Sequence, residues 1–130
     1  MAIYSLEDFK SLINSASLIY CNEGRTFRHL RNLGWNDKEL VDVLSNLTSN
    51  DFRKTFKDQI VNNLPGRDTI SADHYVIHWD LEEWVRRSDE WVQRHYPSLT
   101  TVELSIKIAI VQNGTGQLAG VVTFHPSNSN

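Results

Sequence analysis

The feature that most restricts the fold lies in the run after residue 100. Val102, Leu104, Ile106, Ile108 and Ile110 alternate with Glu103, Ser105, Lys107, Ala109 and Val111. A period of two belongs to a strand, whose successive side chains point to opposite faces. The turn-forming Asn113-Gly114-Thr115-Gly116 follows, and then a second β-prone run over 118–125, so this part of the chain reads as a hairpin. A lone hairpin is marginal in water and needs a cover for its apolar side.

The N-terminal half supplies that cover and marks where its helices start. Ser5-Leu6-Glu7-Asp8 resembles a capping box, with a hydroxyl at the cap and a carboxylate three residues on to reach back to the cap amide, and Tyr4 and Phe9 are placed as a hydrophobic staple. Leu6, Phe9, Leu12, Ile13 and Ala16 then recur at helical spacing. A second helix is expected over 22–33, stopped by Gly34, which accepts the left-handed cap conformation. Asn36-Asp37-Lys38-Glu39 repeats the start signal, flanked by Trp35 and Leu40, and Val41, Val43, Leu44 and Leu47 extend the apolar face. Thr48-Ser49-Asn50-Asp51 predicts a further helix with Phe52, Phe56 and Ile60 on one side and Arg53 and Lys57 on another. Leu64-Pro65-Gly66-Arg67-Asp68 reads as a turn and 75–79 as a short strand. Residues 80–95 read as an amphipathic helix with Leu81, Trp84, Val85, Ser88, Trp91, Val92 and His95 on one stripe. The expected class is α+β, a helical N-terminal half packed on a small antiparallel sheet with a C-terminal β-hairpin. A chain of 130 residues can bury one core of its own, assigned to 1–126 with a fraying tail at 127–130.

Several classes are disfavoured. No run approaches the ~18 apolar residues of a membrane span, and residues 1–10 lack the basic start and apolar stretch of a secretion signal. The expected location is the cytoplasm, without a membrane partner. Cys21 is the only cysteine, which excludes an internal disulfide or a thiolate zinc cluster and reads as a lone buried thiol. Thirteen Lys and Arg against sixteen Asp and Glu give a net charge of −3, so any polyanion site must be local.

Local candidates exist. Arg53, Lys54 and Lys57 cluster around Phe52 and Phe56, either as a solvated basic face or as a phosphate-gripping edge. Lys107, the only cation after residue 100, is either a solvent-facing strand residue or a rigidly held group that neutralises phosphate charge. His125, near the end of the last strand, has the chemistry of a general acid or base near neutral pH. With the loop at 113–116, Gln112 pairs with Gln117 and Lys107 with Val122, which puts His125 on the opposite face. A bulge or an odd-length loop returns the two to one side. His74 and His78 flank a β-prone run, where such a pair stands about 13 Å apart, too far to share a metal ion; no metal or cofactor is expected.

A family resemblance rests on the order of these segments. They are Tyr4-Ser5-Leu6-Glu7-Asp8-Phe9-Lys10, Leu33-Gly34-Trp35, Glu39-Leu40-Val41-Asp42-Val43-Leu44, Leu47, Asp51-Phe52-Arg53-Lys54-Thr55-Phe56, Ala72-Asp73-His74 and Thr123-Phe124-His125. The chain resembles the motility quorum-sensing regulator (MqsR) toxins of bacterial toxin–antitoxin systems, most closely over 4–57. The resemblance implies a small α+β protein related to the RelE-type ribonuclease fold, which cleaves messenger RNA without a metal and is neutralised by a cognate antitoxin. By the same match Lys54 is the counterpart of a family lysine, and Asp73 and His74 match an Asp-His pair. Trp79-Asp80 stands where the family has Trp-Gln-Asp, Glu103 where it has a tyrosine, and His125 where it has a lysine.

The expected function is therefore that of a metal-independent endoribonuclease toxin, with RNA and an antitoxin as partners. Lys54 and Lys107 stabilise the phosphate, while His125 with Glu103 or His74 transfers protons. Arg53 and Lys57 grip the substrate, and Tyr75 stacks a base. The alternative is a non-catalytic protein-interaction module on the same fold, a degenerate toxin or an adaptor, which the acidic balance and the Trp84/Trp91 stripe favour.

Overall fold

The computed structural model describes residues 2–15, 18–80, 101–114 and 116–127. The helix expected over 80–95 falls, apart from Asp80, outside the described residues, as does the tail at 128–130. The element order is α1 (Leu6–Asn14), β1 (Leu18–Tyr20), α2 (Glu23–Leu33), α3 (Asp37–Ser45), one 3-10 turn (Ser49–Asp51), β2 (Phe52–Ile60), β3 (Thr69–Asp80), β4 (Thr101–Asn113) and β5 (Gly116–Pro126). The class is α+β.

Local chemistry sets the helix starts. The Ser5 hydroxyl accepts from the Asp8 amide at 3.2 Å, and Asn36 and Glu39 form a reciprocal capping box. Gly34 ends α2 with φ 71°, a conformation that a side chain at that position would resist. Asn22 precedes α2 but does not cap it with its side chain. Its amide instead donates to the carbonyls of Ile60 at 3.1 Å and Val122 at 2.8 Å, tying the start of α2 to the end of β2 and the middle of β5.

Two expectations are corrected. The predicted helix over 52–60 is strand β2: the capping box at Thr48 and Asp51 is real, but it closes only one 3-10 turn. Phe52, Phe56 and Ile60 recur at a spacing of four, which a period of two satisfies as well as a helix does, and pairing with β3 decides for the strand. An irregularity after Phe52 then puts Phe52 with Tyr75 on the helix-covered face and Phe56 with His74 on the other. The sheet is also mixed rather than antiparallel. Its order is β1-β5-β4-β3-β2, and β1 runs parallel to β5.

Phe9 and Ile13 of α1, Leu30 and Leu33 of α2, and Leu40, Val43 and Leu44 of α3 pack on one face of the sheet against Tyr75, Ile77, Leu104, Ile106, Ile108 and Phe124. Each such side chain contributes roughly 1.5–3 kcal/mol by leaving water. A smaller core on the opposite face joins Cys21, Val61, Leu64, Ile70, Ala72, Ala109, Val111 and Val122. There Gly120 admits Cys21 and Val111 so closely that a Cβ would lie 2.9 Å from Val111 Cγ2.

The hairpin register decides the rest. Gln112 pairs with Gln117, as the loop length implies, but a shift follows: Ile108 faces Val121 while Lys107 faces Thr123. Val122 is the extra residue of a β-bulge. Lys107 thus pairs with Thr123 rather than Val122, and Ser105 rather than Leu104 pairs with His125.

Candidate functional site

Beside the smaller core, the same face of the sheet carries a polar row. Lys54 of β2 pairs with His74 of β3, His74 with Lys107 of β4, and Lys107 with Thr123 of β5. Neighbouring strands stand about 4.8 Å apart, so these four residues form one line across the sheet. Ser105 and His125, paired with each other, lie two residues further along. The bulge at Val122 keeps Thr123 and His125 on the side of Lys107. This is the second of the two hairpin geometries that the sequence leaves open.

Phe56 organises the cations. The ammonium groups of Lys54 and Lys107 lie 4.5 Å and 4.2 Å from its ring centroid, and the His74 ring meets it edge to face at 5.6 Å. Two like charges are thereby held over one ring. Lys107 Nζ also donates to Gln59 Oε1 at 2.8 Å. Gln59 reaches it across an irregularity in β2 at which Asp58 adopts φ 54°. No carboxylate among the described residues pairs with either lysine.

Burial, then the charges of Lys54 and Arg25, hold the Lys107 ammonium below the usual lysine range. Burial, then Lys107, His125, Arg53 and Lys54, lowers the pKa of His74 and favours its neutral ring. His74 Nε2 lies 2.7 Å from Ser105 Oγ. His125 Nδ1 is 3.0 Å from the Pro126 carbonyl, which can only accept, so Nδ1 carries the proton and Nε2 is left for exchange.

A cavity of about 410 Å³ adjoins the row, between α2 and the sheet. Arg25, Thr26 and His29 of α2 line it together with Asp58, Gln59, Lys107, Thr123 and His125. His29 lies 5.8 Å from His125, ring to ring. Burial, then His125, Arg28 and Arg25, lowers its pKa.

The structure brings Lys54, His74, Lys107 and His125 together. Glu103 lies on the same face, but its carboxylate pairs with His78 Nε2 at 3.3 Å, so the expected pairing with His125 is corrected. Tyr75 is also corrected as a base-stacking residue. It is 1% exposed on the helix-covered face, edge to face with Phe52, because alternation along β3 turns it away from His74. Arg53 and Lys57 are exposed on β2 outside the row, and the Arg53 guanidinium donates to the Asn50 carbonyl at 3.2 Å. Asp73 is buried and accepts from the amides of Ile3 and Tyr4 and from the Thr55 hydroxyl, which anchors the N-terminal segment.

Sequence reasoning missed Gln59 and the α2 contribution. The signal on α2 was Thr26, a polar residue in the stripe that continues through Leu30 and Leu33. Among the described residues, no three His, Cys, Asp or Glu side chains converge to hold a metal ion, and no helix is long and apolar enough to cross a membrane. Compared with protein-family models, curated proteins and solved structures, the chain matches none.

Proposed function

We propose that the Lys54–His74–Lys107 row binds a phosphodiester and that the protein is a metal-independent endoribonuclease. The observation that carries this reading is the pair of ammonium groups over Phe56, without a carboxylate partner among the described residues and with His125 beside them. Such a pair repels itself, and an anion bridging it relieves the repulsion. The order of segments over 4–57 supplies the rest: messenger RNA as substrate, a RelE-type relationship for the fold, and a cognate antitoxin.

The chemistry needs no protein nucleophile. His125 Nε2 takes the proton of a ribose 2′-hydroxyl, whose oxygen attacks the adjacent phosphorus. Lys54 and Lys107 neutralise the charge that grows on the non-bridging oxygens. The bond from phosphorus to the 5′ oxygen breaks, and Lys107, whose pKa is lowered by burial and by Lys54, gives that oxygen a proton. The products are a 2′,3′-cyclic phosphate and a 5′-hydroxyl. His74, 2.7 Å from Ser105 Oγ, stands in register between the two lysines, which Phe56 and Gln59 hold in place.

The test is cleavage of single-stranded RNA in the presence of a chelator, by wild type and by the Lys54→Ala, His125→Ala double variant. The expected loss is about 10²- to 10⁴-fold. Equal cleavage by the two proteins, or none by wild type, contradicts the reading.

A further inference from the structure

We infer that the cavity between α2 and β5 is a nucleobase subsite, which selects the nucleotide attached to the phosphodiester held by the lysine row. The inference rests on the proposed RNA chemistry and adds to it a place for one unstacked base.

The walls combine the charges of Arg25, Asp58 and Lys107 with neutral polar atoms that lack a partner among the described residues, and the latter suit a heterocycle with polar edges. Thr26 is 1% exposed, lines the cavity, and has a hydroxyl with no hydrogen-bond partner among the described residues. Thr123 Oγ1 and His29 Nδ1, from the facing strand and the same helix, are likewise buried and without a partner there. A buried polar atom left unpaired is costly, and native structures satisfy nearly all of them. Three such atoms around one cavity call for a ligand that offers both donors and acceptors, as a base edge does.

Apolar surface completes the site. Val122 and Phe124 form part of the wall, and Ile60, 76% exposed, stands at the rim, where a planar ring can cover it. About 410 Å³ lies toward the small end of the ~300–1,000 Å³ typical of small-molecule sites. Lys107 connects the two parts, since it lines the cavity, bonds Gln59 of the same wall and lies over Phe56 in the row. A base in the cavity therefore leaves its 3′-phosphate beside the ammonium groups.

The experiment measures binding of the four nucleoside 3′-monophosphates, the corresponding trinucleotides with 2′-O-methyl riboses, and inorganic phosphate to the intact chain. Wild type, Thr26→Val and Thr123→Val are compared. Valine is isosteric and removes an unpaired hydroxyl, so both variants should fold at least as stably as wild type, which thermal unfolding checks. The expected result is one base preferred over inorganic phosphate and over the other bases by about tenfold, with that preference lost in the variants and phosphate binding retained. Preference in the trinucleotides but not the monophosphates also supports the subsite and assigns it to RNA rather than free nucleotide. No base preference in wild type, or an undiminished one in both variants, overturns the inference even if wild type cleaves RNA. Preference lost in the variants while wild type cleaves no RNA supports the subsite and removes the catalytic reading alone.

Discussion

Neighbouring residues of β3 end in opposite environments. Tyr75 is 1% exposed beneath the helices, whereas His74 stands in a row of cations on the other face. The same division runs through β4, where Ile106 and Ile108 enter the main core and Lys107 between them does not. One face is filled by apolar side chains from three helices. The other divides into a small apolar cluster and a polar end where like charges are held close. The packed core and the polar row are thus kept one residue apart by the period of the strand.

β5 preserves that division only through its bulge. Phe124→Ala should have the largest effect, costing about 3–5 kcal/mol through the cavity it leaves in the main core, measured by denaturant unfolding. Deleting Val122 should come next. It removes the extra residue and leaves Thr123, Phe124 and His125 facing Lys107, Ile106 and Ser105 in a regular ladder. The expected cost is about 1.5–3 kcal/mol for a side chain lost from the smaller core, with RNA cleavage retained. A well-folded deletion variant that cleaves no RNA would mean that the bulge does more than set the register.

Lys107→Met should have the smallest effect on folding, within about 1 kcal/mol of wild type, while reducing cleavage about 10²-fold or more. It should also move one pKa. The His74 ring titrates below its ordinary 6.5, first through burial and then through Lys107. Removing that charge should raise its pKa, read by NMR of the ring protons. The consequence for stability has a definite sign. A histidine whose pKa is depressed by folding binds its proton more readily in the unfolded chain, so its contribution is complete above about 6.5 and is lost as the pH falls below that value. His29 and His74 both act in this direction. The acid-side loss should be smaller in Lys107→Met, and an unchanged pH profile would mean that Lys107 does not act on His74.

Much of this was legible in the residues and some was not, for physical reasons. Helix ends are local, so the caps at Ser5 and Asn36 and the stop at Gly34 are legible in short windows, although the reciprocal box forms at Asn36 and Glu39 and not at Ser5. The strand at 52–60 reads as a helix because its apolar residues recur every fourth position, which fits both periods, and because a capping box stands before it. β1 has three residues and acquires its identity from a parallel partner about a hundred residues away. Lys54, Lys107, His74 and His125 could be proposed one by one, but their common face depends on a bulge that loop length does not reveal. Thr26 and Gln59 gain meaning only when α2 and β2 meet across the sheet.

The most direct test follows the amide and ring resonances of the intact protein by NMR as a non-cleavable 2′-O-methyl oligoribonucleotide is added. The account predicts shifts concentrated at Lys54, Phe56, His74, Lys107 and His125, with Ile13, Leu40 and Leu44 of the helical layer unmoved. No binding, or shifts confined to the helical layer, would contradict the assignment of the polar row as a phosphodiester site.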